Sequence, residues 1–581
     1  MPAGWSDFIE SLVLLLCLLP LVGIALIVLV SRWGASAVRQ TAVVNVLLSG
    51  GLSVLMVWQM QTAEPRQTPG PHFQMVSVHR WLAARSPVKP QSQKSTSNRS
   101  VARPLRTIGP DIRLAFGVDS LSQWLIMLTS LLIIPAVLLG GKKERKQPAL
   151  FYSLLLLFQS AATGLFAALD VVLFCFCFEL TILPLYLLIG RWGGSQRRPA
   201  VRRMVVSHLV GSLFVLLGLM GVVVTYWWMQ SDAFGTIPPM TFSIPQLLSE
   251  DSSAPGLVML ATTNAVAGSD WNQFGPWLFL FLLAGFLIRP ALFPFHAGLP
   301  GVVREAPSVA RMLLLGIVPL FSLYGCVRFL LPLFPVQCAE LGGAISAVAI
   351  VGLVFTGLSA LAETDAVRRI TLATISLLQL ALAGLFLPGP LGVTGGVVQM
   401  LSVGLSVGLL LLLHEFDHRP GQLGAASENR GQRQPRRRAL LLFAMLAVIG
   451  APGLGGFSGA TLSLLGIFQQ SGRWAIAAMA GLLIVAWSLL RLWPTDLSPR
   501  DSVSPNRGAK DLTVCECAAV APIVVAIIWI GINPQLIGGL AQSDSKAGHE
   551  SAINSIFQPT GPTGVKRNSV IFHDCPAVSG R

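Results

Sequence analysis

Charge is what this sequence has least of. Asp, Glu, Lys and Arg together make up 12% of its 581 residues, against about a quarter in a soluble domain. A soluble chain of this length would divide into a few domains, each needing a polar surface. The polar residues here are too few to cover such surfaces. With 53% of the residues apolar, the solvent that fits this chain is lipid. Acidic residues are the scarcer sign: 26 against 41 basic, a net charge of +15. In a soluble protein that excess points to nucleic acid. Here the basic residues stand in short clusters between apolar runs, so membrane topology accounts for them and nucleic-acid binding is set aside.

Other things are missing too. The eight cysteines form no disulfide framework. Cys175-Phe-Cys177 and Cys515-Glu-Cys517 leave one residue between cysteines, not the two or more of zinc sites. Cys17 and Cys326 also lie in apolar runs, and all read as small apolar filler. No iron–sulfur cluster motif, flavin site or nucleotide-binding glycine pattern is present. Lys and Arg are absent before the first apolar run, Phe8 to Val30, which is too long for a signal-peptide core. It reads as a retained first helix.

Long apolar runs are what the chain has instead. A bilayer crossing takes roughly twenty mostly apolar residues. That rule predicts about fourteen spans, at 8–31, 42–60, 118–140, 149–168, 170–190, 204–227, 274–295, 309–332, 342–362, 369–388, 391–414, 439–468, 474–493 and 514–536. Basic residues alternate between the connecting loops. They follow span one (Arg32, Arg39), three (Lys142, Lys143, Arg145, Lys146), five (Arg191, Arg197, Arg198, Arg202, Arg203), seven (Arg304, Arg311), nine (Arg368, Arg369), eleven (Arg419, Arg430, Arg433, Arg436 to Arg438) and thirteen (Arg500, Arg507, Lys510). The loops after four, six, eight and ten hold essentially none. The positive-inside rule then puts both termini on the outer side. Residues 61–112, 418–438 and 542–581 are polar, and none can bury a core.

Four stretches carry a family resemblance. They are Phe116-Gly-Val-Asp-Ser-Leu-Ser122; Phe178-Glu-Leu-Thr-Ile-Leu-Pro-Leu-Tyr-Leu-Leu-Ile-Gly-Arg-Trp-Gly-Gly194; Leu292-Phe-Pro-Phe-His-Ala-Gly-Leu-Pro300 followed by Glu305-Ala-Pro-Ser308; and Gly450-Ala-Pro-Gly-Leu-Gly-Gly-Phe457. In this order and spacing the chain resembles subunit M, the mitochondrial subunit four, of the proton-translocating NADH–quinone oxidoreductase, respiratory complex I. The resemblance runs from about residue 114 to 495. It implies an all-α polytopic membrane protein with an antiporter-like fold: two inverted five-helix repeats, at 141–338 (spans four to eight) and 339–495 (nine to thirteen). Around them lie spans one and two at 1–60, a polar loop at 61–112, span three at 113–140, span fourteen at 496–541 and a tail at 542–581. It also implies that spans seven and twelve are broken at mid-membrane. The sequence supplies Pro290 and Pro294 for the first break. For the second it supplies Pro452 with Gly450, Gly453, Gly455 and Gly456.

A charge at mid-bilayer is costly and is a functional candidate by default. Glu179, in the middle of span five, matches the family's glutamate at the start of its proton path. The family pairs that glutamate with a span-seven lysine, matched here by Arg289. A neighbouring cation stabilises a carboxylate, but arginine stays protonated and makes a poor proton carrier. Arg203 matches a further family lysine and doubles as an ordinary positive-inside residue. His208 in span six and His296 at the end of span seven are candidate substitutes for missing carriers. Departures from the family are several. Its span-eight lysine falls on Leu320, its span-eleven histidine on Val403, its span-twelve glutamate on Ala460 and its span-ten histidine on Leu377. Its loop Asp and His fall on Gly301 and Val303, and a lysine near Asp365 falls on Val367.

Three readings follow. The first is a membrane-arm, antiporter-like subunit of a complex I-type NADH–quinone oxidoreductase that contributes to proton translocation. FMN, iron–sulfur clusters and quinone would sit on partner subunits, and the bacterial cell membrane is the location rather than the mitochondrial inner membrane. The second keeps the fold as a non-pumping structural subunit. The third is a cation/proton antiporter or membrane-bound hydrogenase subunit, against which the subunit-M-like span five argues.

Overall fold

Helices that turn one stripe to neighbouring helices and the rest to lipid make up most of the chain. The computed structural model describes residues 3–62, 73–82, 110–140, 147–234, 239–249, 255–263, 265–415, 435–492 and 511–534. In chain order these are α1 (Ala3–Val30), α2 (Ala35–Thr62), β1 (Gln74–Leu82), β2 (Pro110–Val118), α3 (Ser120–Gly140), α4 (Pro148–Ala167), α5 (Val171–Leu180), α6 (Ile182–Trp192), α7 (Arg197–Phe234), β3 (Met240–Thr241), α8 (Ile244–Leu247), α9 (Leu257–Thr263), α10 (Ala265–Ile288), α11 (Leu299–Glu305), α12 (Ser308–Gly316), α13 (Val318–Gly325), α14 (Leu331–Leu333), α15 (Pro335–Ala362), α16 (Ala366–Leu385), α17 (Pro390–Glu415), α18 (Pro435–Ile449), α19 (Gly455–Gln470), α20 (Gly472–Leu490) and α21 (Val514–Ile532).

Among the described residues, twelve helical stretches are long and apolar enough to cross a membrane. The pair α18–α19 and the shorter apolar α21 supply the remaining two of the fourteen expected crossings. The breaks fall where prolines and glycines remove or release backbone groups. Span seven stops at Ile288, turns through Pro290 and Pro294, and resumes as α11. Span twelve stops at Ile449 and resumes at Gly455, with Gly450 at φ 89° and Gly453 at φ 84°. Each broken span is the fourth of five. Because five crossings end on the side opposite their start, the second repeat runs inverted to the first. Two interruptions were not expected from the sequence. Span five turns at Thr181 between α5 and α6, because Pro184 has no N–H for the carbonyl four residues back. Span eight is α12, α13 and a π-helical turn, Cys326–Leu330, with Pro319 in the first turn of α13.

The loop at 61–112 departs from expectation at its ends. Gln74–Leu82 pairs antiparallel with Pro110–Val118, in the register Gln74↔Val118 and Ser77↔Phe116, and β2 also pairs parallel with β3. Bridges Phe116↔Ala168 and Asp170↔Ser243 fix this small sheet to the start of span five. Asp170 caps α5 through Val172 N at 2.8 Å and Leu173 N at 3.3 Å. The basic stretch 418–438 likewise ends in order, since α18 begins at Pro435 and Arg437 is buried. The expected tail at 542–581 lies outside the described residues.

Candidate functional site

Arg289 sits where span seven stops being a helix, and two glycines let span six reach it. A methyl on Gly211 would stand 2.9 Å from the Arg289 backbone nitrogen, and one on Gly285 would stand 2.7 Å from the Gly211 carbonyl oxygen. The backbones of α7 and α10 therefore touch, and only glycine permits it. Arg289 is 1% exposed and is among the largest wholly enclosed side chains. Its Nη1 donates to Ser212 Oγ at 2.6 Å. Its Nη2 donates to Thr181 Oγ1 at 2.7 Å and to the Phe178 carbonyl oxygen. The guanidinium carbon stands 3.5 Å from the centre of the Phe178 ring, a cation–π arrangement.

The expected ion pair between Glu179 and Arg289 is not what the structure contains. Neutral oxygens and a ring face hold the cation. Glu179 follows Phe178 on the helix and so points elsewhere: it is exposed on the flank of the bundle, beside exposed Phe176, Leu183 and Tyr186. The two charges lie on opposite sides of the Phe178 backbone and ring. The turn at Thr181 produces this arrangement, because it frees the Phe178 carbonyl region and brings the threonine hydroxyl to the guanidinium.

His208 lies one turn before Ser212 on the same face of α7. It is 3% exposed, and its Nδ1 lies 2.9 Å from the Met204 carbonyl oxygen. Its Nε2 has no hydrogen-bond partner among the described residues. The structure thus brings His208, Ser212 and Arg289 to one buried contact between spans six and seven. His296 stands apart, half-buried in the turn after the break. Its ring lies 5.6 Å from that of Phe293 and 5.5 Å from that of Phe355. Arg203 is exposed over Gly301, a position suited to a headgroup-facing residue.

The positions where carriers were expected are packed and apolar. Leu320 is 0% exposed, Val403 2% and Leu377 2%. Spans eight and eleven cross there backbone to backbone. A methyl on Gly404 would stand 2.7 Å from the Gly316 carbonyl oxygen and 2.9 Å from Leu320 Cδ1. Leu320 therefore caps the crossing of the two repeats beside Val403. Ala460 is half-buried at the end of the α18–α19 break.

The family motifs also interlock. Glu305 accepts the Gln196 N–H on Oε2 at 2.8 Å and the Gly194 N–H on its backbone oxygen at 2.8 Å. A methyl on Gly194 would stand 2.5 Å from that carboxylate oxygen. So the Trp192-Gly-Gly194 and Glu305-Ala-Pro-Ser308 stretches form one joint between spans five to eight.

A buried charge pair escaped the sequence reading. Arg328 Nη1 lies 2.7 Å from Asp119 Oδ2, with both side chains 6% exposed. The signal was present: Arg328 stands alone in the apolar run Cys326-Val-Arg-Phe-Leu-Leu331, and Asp119 lies inside the first family motif.

Fourteen crossings, two breaks at matching places and buried or mid-span charges beside them define a class: a polytopic, antiporter-like ion-translocation subunit. The transmembrane family described as NADH:quinone oxidoreductase/Mrp antiporter matches residues 168–485, and the chain belongs to it. Among its relatives is NADH-quinone oxidoreductase subunit M of Rhodobacter capsulatus, 28% identical over 73% of this chain and 80% of that one. NAD(P)H-quinone oxidoreductase chain 4 2 of Thermosynechococcus vestitus is 29% identical over 81% and 77%. A chain of respiratory complex I from Thermus thermophilus superposes with a TM-score of 0.69 at 26% identity, over 92% of this chain and 99% of that one. A chain of the Mrp complex from Dietzia shares the fold, with a TM-score of 0.65 at 17% identity over 94% and 99%.

Proposed function

We propose that the chain is an antiporter-like, subunit-M-type component of the membrane arm of a complex I-type NADH–quinone oxidoreductase. There it takes part in proton translocation coupled to quinone reduction. The observation that carries this reading is Glu179, exposed midway along span five in an apolar setting. A carboxylate facing lipid at that depth is costly. A neighbouring membrane subunit that covers Phe176, Glu179, Leu183 and Tyr186 removes the cost and makes Glu179 a proton-accepting group at a subunit boundary. Arg289, one helix-width behind it, favours its ionised form through the field of a fixed cation. His208, with a free ring nitrogen beside Ser212, and His296 at the break are the titratable groups that follow. Arg203 marks the basic rim. FMN, iron–sulfur clusters and quinone belong to partner subunits. The alternation of basic loops places the chain in a bacterial cell membrane with both termini outside.

A second reading, a subunit that keeps the fold without passing protons, has one observation in its favour. Leu320 and Val403 close the crossing of the two repeats with apolar side chains against backbone. The test is reconstitution of the assembly purified through a tag on this chain. Glu179→Gln lowers the protons moved per electron pair if the first reading holds. An unchanged ratio in the assembled variant supports the second.

A further inference from the structure

We infer that Asp119 and Arg328 form a second buried acid–base pair, which exchanges protons at the end of span eight in place of a carrier at Leu320. The inference rests on the membrane-arm reading above but on different residues. The first motif, Phe116 to Ser122, lies outside both repeats, and the Glu179–Arg289 region makes no use of it. Its work is to place Asp119. The residue caps α3: Oδ1 accepts the Ser122 N–H at 2.7 Å, and the residue is 4% exposed. The other oxygen takes Arg328 Nη1 at 2.7 Å.

Arg328 comes from the face of span eight that carries Leu320. Leu320, Tyr324 and Arg328 recur at four-residue spacing and so share one side of the helix. Arg328 stands about 12 Å further along the axis, at about 1.5 Å per residue. The span therefore keeps a buried cation, displaced from the crossing of the repeats to its far end. Between them, the Tyr324 hydroxyl reaches Ser122 Oγ at 3.1 Å and the Phe166 carbonyl oxygen at 3.2 Å. Next to Ser122, Gln123 is 2% exposed and its Oε1 has no hydrogen-bond partner among the described residues. A buried carbonyl of that kind calls for ordered water. Asp119, Ser122, Tyr324 and such water make a set of exchangeable protons at one place.

The cation also has somewhere else to go. Its guanidinium carbon stands 4.4 Å from the centre of the Phe73 ring and 5.8 Å from that of Tyr324. Arg328 sits in the π-helical turn, the kind of extra residue that helices carry at functional positions. Arginine itself does not give up its proton, so the titrating group is Asp119. With Arg328 docked, the carboxylate is ionised. When Arg328 withdraws to the ring faces, a buried bare carboxylate is costly, and Asp119 takes one proton from the Tyr324–Ser122–water set. When Arg328 returns, that proton is expelled. One proton enters and one leaves per cycle, and the arginine keeps its charge throughout.

The alternative is a static clamp between spans three and eight, and the two differ in what they predict. The assembly is purified through a tag on this chain and reconstituted in liposomes, and protons moved per electron pair are measured. The inference expects a loss of this ratio in Asp119→Asn, with recovery in Asp119→Glu. A clamp gives less assembled complex with an unchanged ratio in what assembles, and that result overturns the inference. If Asp119→Asn does not assemble, Tyr324→Phe decides. It removes one oxygen and leaves the ion pair, and an unchanged ratio there again overturns the inference. A tagged chain that recovers no quinone reductase sinks the membrane-arm reading instead. The same variants are then compared for proton flux through the full chain alone in liposomes, where Asp119→Asn must lower the flux for the inference to stand.

Discussion

Arg289 illustrates how a single residue can be legible in type and illegible in partnership. A cation in an apolar run announces itself, and its place after the helix ends followed from Pro290. Its partners did not. Thr181 and Ser212 are neutral, common in membrane helices, and brought together only by the turn at Thr181 and the Gly211–Gly285 contact. The expected partner, Glu179, shares a helix with Phe178 but faces outward. Removing one of these hydrogen bonds to a charged group costs about 1.5–3 kcal/mol. Thr181→Val is accordingly expected to lower the thermal unfolding temperature of the purified protein in detergent, and Ser212→Ala to do the same. If neither shifts it, the guanidinium is held by something other than these oxygens. Leu320 and Gly404 make the complementary case. The loss of a carrier could be read from the sequence, but not that Leu320 would seal a backbone crossing. Gly404→Ala forces spans eight and eleven apart, because the Gly316 carbonyl at 2.7 Å is backbone and cannot step aside. It should destabilise more than an exposed glycine such as Gly298, which has open space around it.

At the scale of elements, the two breaks and nearly every span boundary could be read in the sequence, because glycine and proline act locally. Gly453 tests the reason. Its φ of 84° is left-handed and nothing lies within 4 Å of an added methyl, so the cost of Gly453→Ala is conformational alone, about 1–2 kcal/mol. A stability change near zero would mean that the break does not need that conformation. The β1–β2 hairpin was not legible, because its strands are separated by a long polar stretch that fixes no register. Nor was the tie between the ends of spans twelve and fourteen. Asp511 accepts the Leu512 N–H at 2.8 Å and the Arg436 and Arg437 N–H groups at 3.2 Å, and so caps α18 from outside it. Burial works to raise the Asp511 pKa, but those three donors and the Arg436 charge outweigh it and hold the carboxyl below its ordinary value. The sign is that of a depressed acid. The stabilisation is present above the ordinary carboxylate range and is lost as pH falls through the lower, folded-state value. Asp511→Ala is expected to cost about 1 kcal/mol near neutral pH, and to cost nothing once the pH falls below that value. A penalty independent of pH would contradict the capping role.

For the whole molecule, topology was the most legible property, since it depends on run length and on which loops carry Arg. The joints between the repeats were not, because they are made of backbone contacts and loop ion pairs such as Arg304 to Asp365 at 3.2 Å. Membership of the NADH:quinone oxidoreductase/Mrp antiporter transmembrane family follows from the match across 168–485. What distinguishes this chain within it is the distribution of its charges. One acid faces outward at mid-span, one arginine is held by neutral oxygens, and one ion pair is moved to the end of span eight around an apolar crossing. The claim that such a chain still takes part in proton translocation is tested most directly by one measurement. The assembly recovered through a tag on this chain is placed in liposomes, and protons moved per electron pair transferred from NADH to quinone are compared for wild type and Glu179→Gln. The account predicts that NADH–quinone reductase copurifies with the tag and that Glu179→Gln lowers the ratio. Copurification with an identical ratio in the two proteins would contradict it.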